Sequence, residues 1–136
     1  MDGTLLSSDK TIHPDTLKDI EEASRKGINV AYCTGRAIPE LVSYTDTLSA
    51  IRFGVCLAGA LVYDFHQKRV IYKRSLTPGH IRKLIESSVK CDAMAQFLTV
   101  DRSIVRSDQA DHMEDFNLVE YQTLFDEVTT KVDDLS

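Results

Sequence analysis

The sequence has no tryptophan, only three prolines among its 136 residues, and no apolar run long enough to cross a membrane. The longest apolar stretch, Val55 to Tyr63, is interrupted by glycine and is far shorter than the roughly 20 residues of a spanning helix. The residues after Met1 lack the basic start of a signal peptide, so we expect none. Sixteen basic residues stand against 21 acidic ones, and the net charge of −5 argues against nucleic acid or an anionic membrane as a partner.

Cysteine is also scarce, with three residues in an odd number and without paired spacing. Cys33, Cys56 and Cys91 each lie in an apolar or helix-end context. We therefore expect buried, reduced thiols in a cytoplasmic protein rather than a disulfide framework. The remaining composition, 43% hydrophobic and 27% charged, is typical of a globular protein of one domain's length.

The first 75 residues alternate between helix and strand patterns. Pro14 to Lys26 predicts an amphipathic helix that stops at Gly27. Ile28 to Cys33 and Phe53 to Leu57 predict two strands. Two further elements are expected: a helix with Ile38, Leu41, Val42, Thr45 and Leu48 on one face, and a hairpin of Ala60 to Tyr63 with Arg69 to Tyr72. This order predicts an α/β fold with a parallel sheet flanked by helices.

A change of pattern near residue 76 predicts a boundary between units 1–75 and 76–136. Thr77 is expected to cap a third helix. The buried stripe of this helix is predicted to be Ile81, Leu84, Ile85 and Val89, and a hairpin is predicted from Ala93 to Val100 and Ser103 to Arg106. Beyond Asp108 the apolar residues are irregularly spaced, and the second unit shows no clear end; these residues are Phe116, Leu118, Tyr121, Leu124 and Phe125.

Two short motifs mark candidate chemistry. Thr34-Gly35-Arg36 follows a predicted strand and precedes a helix, where a hydroxyl and exposed backbone N–H groups can bind phosphate oxygens. Asp2 begins Asp-Gly-Thr, in which Gly3 allows a tight turn. Alone, Thr34 can be a simple helix cap and Asp-Gly an ordinary turn. Their order, separated by one helix and one strand, favours a common site.

These motifs resemble those of the haloacid dehalogenase (HAD) superfamily. Asp2-Gly3-Thr4 resembles the end of its Asp-x-Asp-Gly-Thr motif, with Asp2 as the second carboxylate. Thr34-Gly35-Arg36 resembles the second motif of the Cof-type branch. Gly59 to Asp64 resembles the Asn-Gly-Ala-hydrophobic-hydrophobic-Tyr-Asp run of that branch, with Ala58 in place of the Asn. The resemblance implies part of a Rossmann-like core in residues 1–75 and the beginning of an α/β cap domain in residues 76–136.

The resemblance implies a Mg²⁺-dependent phosphatase that hydrolyses small phosphorylated metabolites, such as sugar phosphates, through an aspartyl-phosphate. Asp2 would be the general acid and base and would give its main-chain carbonyl to Mg²⁺. Thr34 and Gly35 would hold phosphoryl oxygens, Arg36 would position the substrate, and Gly59 would lie at the substrate. The family's nucleophile would precede Met1, and its later Lys and Gly-Asp-x-x-Asn-Asp motifs are not in the sequence. We therefore interpret the sequence as truncated at both ends and inactive by itself.

Two other hypotheses remain. The chain can be a non-catalytic remnant that acts as a binding or interaction domain. Loss of a central strand would leave backbone groups unpaired, so instability or self-association is expected. A receiver-type phosphoacceptor ranks third, since it requires several acidic residues at the first strand end. His112, Glu114 and Asp115 fit no metal spacing, and a solvated loop is expected there.

Overall fold

The chain is described by a computed structural model that covers residues 1, 3–115 and 125–134, without the side chains of residues 114 and 115. It divides into two compact units. The first comprises Met1–Arg36 and Leu41–Arg74, and the second comprises Ala37–Glu40 with the described residues from Ser75 onward. Asp2 and the predicted apolar positions Phe116, Leu118, Tyr121 and Leu124 lie outside the described residues. Within these ranges, no helix has the length and apolar character needed to cross a membrane.

The first unit contains a four-stranded sheet. Its elements are α1 (Pro14–Arg25), β1 (Ala31–Cys33), α2 (Val42–Thr45), β2 (Phe53–Cys56), β3 (Leu61–Asp64) and β4 (Arg69–Lys73). The strands lie in the order β1-β2-β3-β4. β1 and β2 are parallel, with Tyr32 opposite Gly54, whereas β3 and β4 follow as an antiparallel hairpin. The predicted α/β fold with parallel strands is confirmed.

Helix α1 begins and ends where the local sequence signals predict. Pro14 occupies its first turn, and the His13 ring accepts a hydrogen bond from Asp15 N at 3.3 Å. Gly27 follows the helix with a φ of 77°, a left-handed conformation that glycine adopts at low cost. Leu17 and Ile20 pack against the core cluster of this unit, which is centred on Tyr32, Leu48 and Ile51.

The predicted second helix is wrong in its length. A 3₁₀ turn at Pro39–Leu41 is followed only by the single turn of α2. Leu41 and Leu48 are buried as expected, but Val42 is exposed. The Thr45 hydroxyl donates to Val42 O at 2.8 Å, and such local bonds in a Ser- and Thr-rich segment compete with continuous helix.

The Phe65 ring packs closely against Tyr32 of β1 and Gly54 of β2. Phe65 makes edge-to-face contacts with Tyr32 and Tyr63, with ring centroids 5.2 and 5.1 Å apart. A Cβ on Gly54 would lie 2.7 Å from the Phe65 ring and 3.2 Å from Cys56 Sγ, so glycine is required for this close approach.

Burial raises the pKa of Tyr32 to about 12, and its hydroxyl has no hydrogen-bond partner among the described residues.

An ion pair between Arg52 and Asp64 stabilises the turn between β3 and β4. Asp64 is 0% exposed, and its Oδ2 accepts from Arg52 Nε at 3.1 Å and from the Arg52 guanidinium at 2.9 Å. Its Oδ1 accepts from Gln67 N at 2.9 Å, and the His66 ring contacts Ser49 O at 2.9 Å. The Arg52 hydrogen bond holds the pKa of Asp64 below its usual value. Asp64 is therefore an internal support of the hairpin.

The second unit contains α3 (Pro78–Lys90), β5 (Phe97–Leu98), β6 (Ser103–Arg106), a 3₁₀ segment at Ser107–Asp115, and β7 (Thr129–Val132). Thr77 caps α3, accepting from His80 N at 3.3 Å, as predicted. The predicted hairpin is confirmed as β5 with β6, although β5 is shorter than expected. Strand β7, which pairs parallel to β6, is a strand that the sequence analysis missed.

The predicted buried stripe of α3 is correct at Ile81 and Ile85, which are partly buried, and wrong at Leu84 and Val89. Leu84 and Val89 are exposed, whereas Ser88 is buried. The face that turns inward follows Ile81, Ile85 and Ser88 at helical spacing. The Ser88 hydroxyl donates to Ile85 O at 2.9 Å and accepts from Gln109 Nε2 at 3.0 Å, so polar pairing permits its burial.

The expectation of three buried thiols is only partly met. All three cysteines are free, but Cys33 and Cys91 are exposed. Cys33 alternates with the buried Tyr32 along β1, and Cys91 follows the last turn of α3. Cys56 is buried, which raises its pKa to about 11.

We predict that Gly54→Ala destabilises the fold by about 1–2 kcal/mol, because the added methyl collides with a Phe65 ring held between two tyrosines. Urea unfolding followed by circular dichroism measures this change. Gly35→Ala is the control, since nothing lies within 4 Å of the Cβ position there. Equal stability of the two variants would contradict the packing argument.

We also predict that the Arg52–Asp64 pair contributes to the pH dependence of stability. The folded-state pKa of Asp64 lies below the ordinary 3.8, so its stabilisation is present above pH 3.8 and is lost as the pH falls through the lower folded value. Asp64→Asn should lower the free energy of unfolding at neutral pH and flatten its acid limb. Asp19→Asn, on the exposed side of α1, is the control. Parallel pH profiles for Asp64→Asn and the wild type would refute this role.

Candidate active site

Two loops meet at the carboxyl edge of the parallel strands β1 and β2. Parallel neighbours end at the same edge, so the loop after Cys33 lies beside the loop after Cys56. Thr34 N donates to Val55 O at 3.0 Å and continues the strand pairing one residue past β1. The loops are then joined directly, since Leu57 N donates to Arg36 O at 3.1 Å and Ala58 N to Thr34 O at 3.2 Å.

Thr34 lies at the base of this edge. It is 9% exposed, and its Oγ1 accepts a hydrogen bond from Arg36 N at 3.1 Å. A threonine hydroxyl that accepts one bond still has a proton to donate. The side chain thus tightens its own loop and retains the capacity to donate to an anion.

Gly35 and Arg36 complete the first loop. Gly35 is exposed, with open space around its Cβ position, so a ligand can approach its backbone closely. The Arg36 guanidinium lies over the Tyr44 ring, 5.5 Å from the ring centroid, in a cation–π contact. The open backbone at Gly35 can receive an anionic group, and Arg36 adds a positive charge to the same loop.

The second loop, Leu57–Gly59, has an unusual backbone. Leu57 and Ala58 both have a φ of 52°, and Gly59 has a φ of 100°. Such left-handed conformations are disfavoured for residues with a Cβ, although asparagine tolerates them better than alanine. The structure places the predicted substrate-contact position Gly59 beside the Thr34 loop, and it shows strain at Leu57 and Ala58 that no local sequence signal indicates.

The first predicted motif is only partly described. Asp2, the predicted catalytic and metal-binding residue, lies outside the described residues. Gly3 has a φ of 68°, consistent with the tight turn predicted for it. Met1 O accepts hydrogen bonds from the backbone N–H groups of Thr4, Leu5 and Leu6, and Met1 itself packs against the core cluster around Tyr32.

The residues that the structure describes do not form a magnesium site by themselves. No group of three or more His, Cys, Asp or Glu side chains within these ranges is arranged to hold a metal ion. His112 lies 3.5 Å from the Asp92 carboxylate, and the other two members of its predicted polar cluster have no described side chains. The two loops themselves offer the Thr34 hydroxyl, the open backbone at Gly35 and the Arg36 guanidinium for binding an anion.

We predict that Ala58→Asn stabilises the chain by roughly 0.5 kcal/mol, because asparagine tolerates the left-handed conformation that alanine disfavours. Ala60→Asn is the matched control two residues away, where φ is −76° and no such gain exists. Denaturant unfolding of both variants measures the difference. If Ala58→Asn is no more stable than Ala60→Asn, the strain argument fails.

Comparison with known proteins gives the same lineage. A model of haloacid dehalogenase-like hydrolases matches residues 1–135 of this chain. The chain is 30% identical over 71 residues to the pyridoxal phosphate phosphatase of Escherichia coli. The aligned region covers 52% of this chain and 26% of that protein. It is 29% identical over 84 residues to the 5-amino-6-(5-phospho-D-ribitylamino)uracil phosphatase of Bacillus subtilis. Here the aligned region covers 62% of this chain and 33% of that protein.

A solved sugar phosphatase of HAD subclass IIB superimposes with a TM-score of 0.77 at 22% identity, over 97% of this chain and 50% of that structure. At this identity the likeness shows a shared fold. The chain thus matches about a third or less of these two phosphatases and half of the solved structure. The family model, however, spans nearly all of the chain, and the chain belongs to the haloacid dehalogenase-like hydrolase family.

Proposed function

We propose that the loops Thr34–Arg36 and Leu57–Gly59 form the phosphate-binding edge of a Cof-type phosphatase that acts on small phosphorylated metabolites, such as sugar phosphates. The observation that carries the proposal is the pair of backbone hydrogen bonds joining the two loops at the carboxyl edge of β1 and β2. Ligands of open α/β sheets bind at this edge. The names of the two similar phosphatases support a phosphorylated small molecule as the substrate.

In this proposal the chain binds and orients the phosphoryl group. The Thr34 hydroxyl donates to one phosphoryl oxygen while still accepting from Arg36 N. The Gly35 N–H donates to a second oxygen, and the open space at its Cβ position allows the approach. Arg36, held against Tyr44, positions the substrate by its charge. These donors face the charge that accumulates on phosphoryl oxygens during transfer.

Family membership supports three further proposals. We assign Asp2 as the general acid that protonates the leaving alcohol and as the base that then activates water. We propose that Mg²⁺ is the cofactor and that the Asp2 carbonyl would be one of its ligands. We also propose that residues 1–75 correspond to part of the HAD core, that residues 76–136 begin the cap, and that the protein acts in the cytoplasm.

Titration with inorganic phosphate, followed by amide chemical shifts in the ¹H–¹⁵N spectrum, tests this site. Saturable shifts should be confined to residues 34–36 and 57–59 and to the Asp2-Gly3-Thr4 motif that we assign to the same site. Thr34→Val should weaken binding about tenfold, since a hydrogen bond to a charged group contributes about 1.5–3 kcal/mol. Gly35→Ala should weaken binding without loss of stability. Thr47→Val, at an exposed threonine of the same unit, is the control. Shifts outside these three segments, or equal losses for Thr34→Val and Thr47→Val, would overturn the assignment.

Turnover provides a second measurement on the same samples. The family's nucleophile is the first aspartate of its motif, and no residue of the 136-residue sequence occupies that position. We therefore expect no hydrolysis of p-nitrophenyl phosphate by this polypeptide in the presence of Mg²⁺, even where phosphate binds. Hydrolysis that disappears in Asp2→Asn would refute the expected inactivity while leaving the phosphate site intact.

A further inference from the structure

Strand β4 presents an exposed edge that combines apolar and basic side chains. It is the outermost strand of the first sheet and, among the described strands, pairs only with β3. All five of its residues are exposed. Ile71 and Tyr72 are 49% and 50% exposed, although burial of such side chains is favourable.

The charge around this strand is of one sign. Four cations flank its three central apolar residues, Val70, Ile71 and Tyr72; they are Lys68, Arg69, Lys73 and Arg74. No acidic residue interrupts the seven-residue segment, although the chain carries a net charge of −5. No ion pair in the described part of the chain involves any of these four cations. The nearest strand carboxylate, Asp64, is buried against Arg52.

These charges select among the possible occupants of the edge. A second copy would bring its own four cations against those of the first, and cations on an edge strand are a known device against self-pairing. An acidic partner is favoured instead, because its carboxylates would pair with the flanking cations and its apolar residues would cover Val70, Ile71 and Tyr72.

We propose that β4 is a docking site for an extended acidic segment of another protein, with apolar residues at its centre and carboxylates at both ends. The segment adds a strand to the free edge of β4, and its main chain pairs with the backbone of Val70 to Tyr72. The buried area is small, so the affinity is expected to be weak, with a dissociation constant on the order of 100 μM.

A synthetic peptide with two glutamates on each side of a Val-Thr-Val centre is the probe. Its binding to the 136-residue chain is measured by fluorescence anisotropy and by amide shifts in the ¹H–¹⁵N spectrum. We expect saturable binding, shifts along residues 68–74, and weaker binding as ionic strength rises. The double variant Lys73→Glu, Arg74→Glu should weaken binding about tenfold, equivalent to about 1.4 kcal/mol. Ile71→Thr should weaken it while keeping the strand, because threonine also favours β structure.

The matched control is Arg82→Glu, Lys83→Glu, which changes the same amount of charge on the exposed side of α3. It should retain most of the binding. Thermal unfolding by circular dichroism checks that every variant is folded. The proposal is overturned if a peptide with lysines in place of the glutamates binds equally well, or if both double variants lose binding equally. It is also overturned if the chain binds anionic phosphatidylglycerol vesicles through β4 but not the acidic peptide.

Discussion

The parallel pairing of β1 with β2 is the constraint on which the candidate site depends. It brings the ends of both strands to one edge and sets Tyr32 opposite Gly54. The hydrogen bond from Thr34 N to Val55 O extends this register, and two further backbone bonds tie the loops together. A slip of one residue would turn Tyr32 to the other face of the sheet and separate the loop partners. Backbone pairing thus places Thr34 at this edge, and the hydrogen bond from Arg36 N orients its hydroxyl.

The packing behind the sheet protects that register. Gly54 leaves room for the Phe65 ring, which lies between Tyr32 and Tyr63. Phe65 itself begins the turn that Asp64 holds through Arg52 and Gln67 N. The final Asp of the family-like run Gly59 to Asp64 therefore has a structural explanation that requires no ligand. A motif match alone would have suggested chemistry for this buried carboxylate.

Local signals made part of the fold predictable. Pro14 with Gly27 bounded α1, and Thr77 marked the start of α3, because caps and stops depend on a few neighbouring residues. Apolar spacing predicted Ile81 and Ile85 on the inward face of α3 but not Ser88, which is buried only because Gln109 pairs with it. Strand β7 pairs with residues about 26 positions earlier, beginning with Thr129 opposite Ser103. Its β-branched residues were a local signal, but the parallel pairing is a tertiary property.

The site was predictable in its motifs but not in its backbone. Thr34, Gly35 and Arg36 are indicated by their place after a strand, and their meeting with Gly59 follows from parallel topology. The left-handed conformations of Leu57 and Ala58 follow neither from these motifs nor from the parallel topology. The strain at these residues is offset by the bonds that they donate to Arg36 O and Thr34 O. Because the same two bonds join both loops, a substitution that displaces the Thr34 loop would also remove the contacts that offset the strain at Leu57 and Ala58.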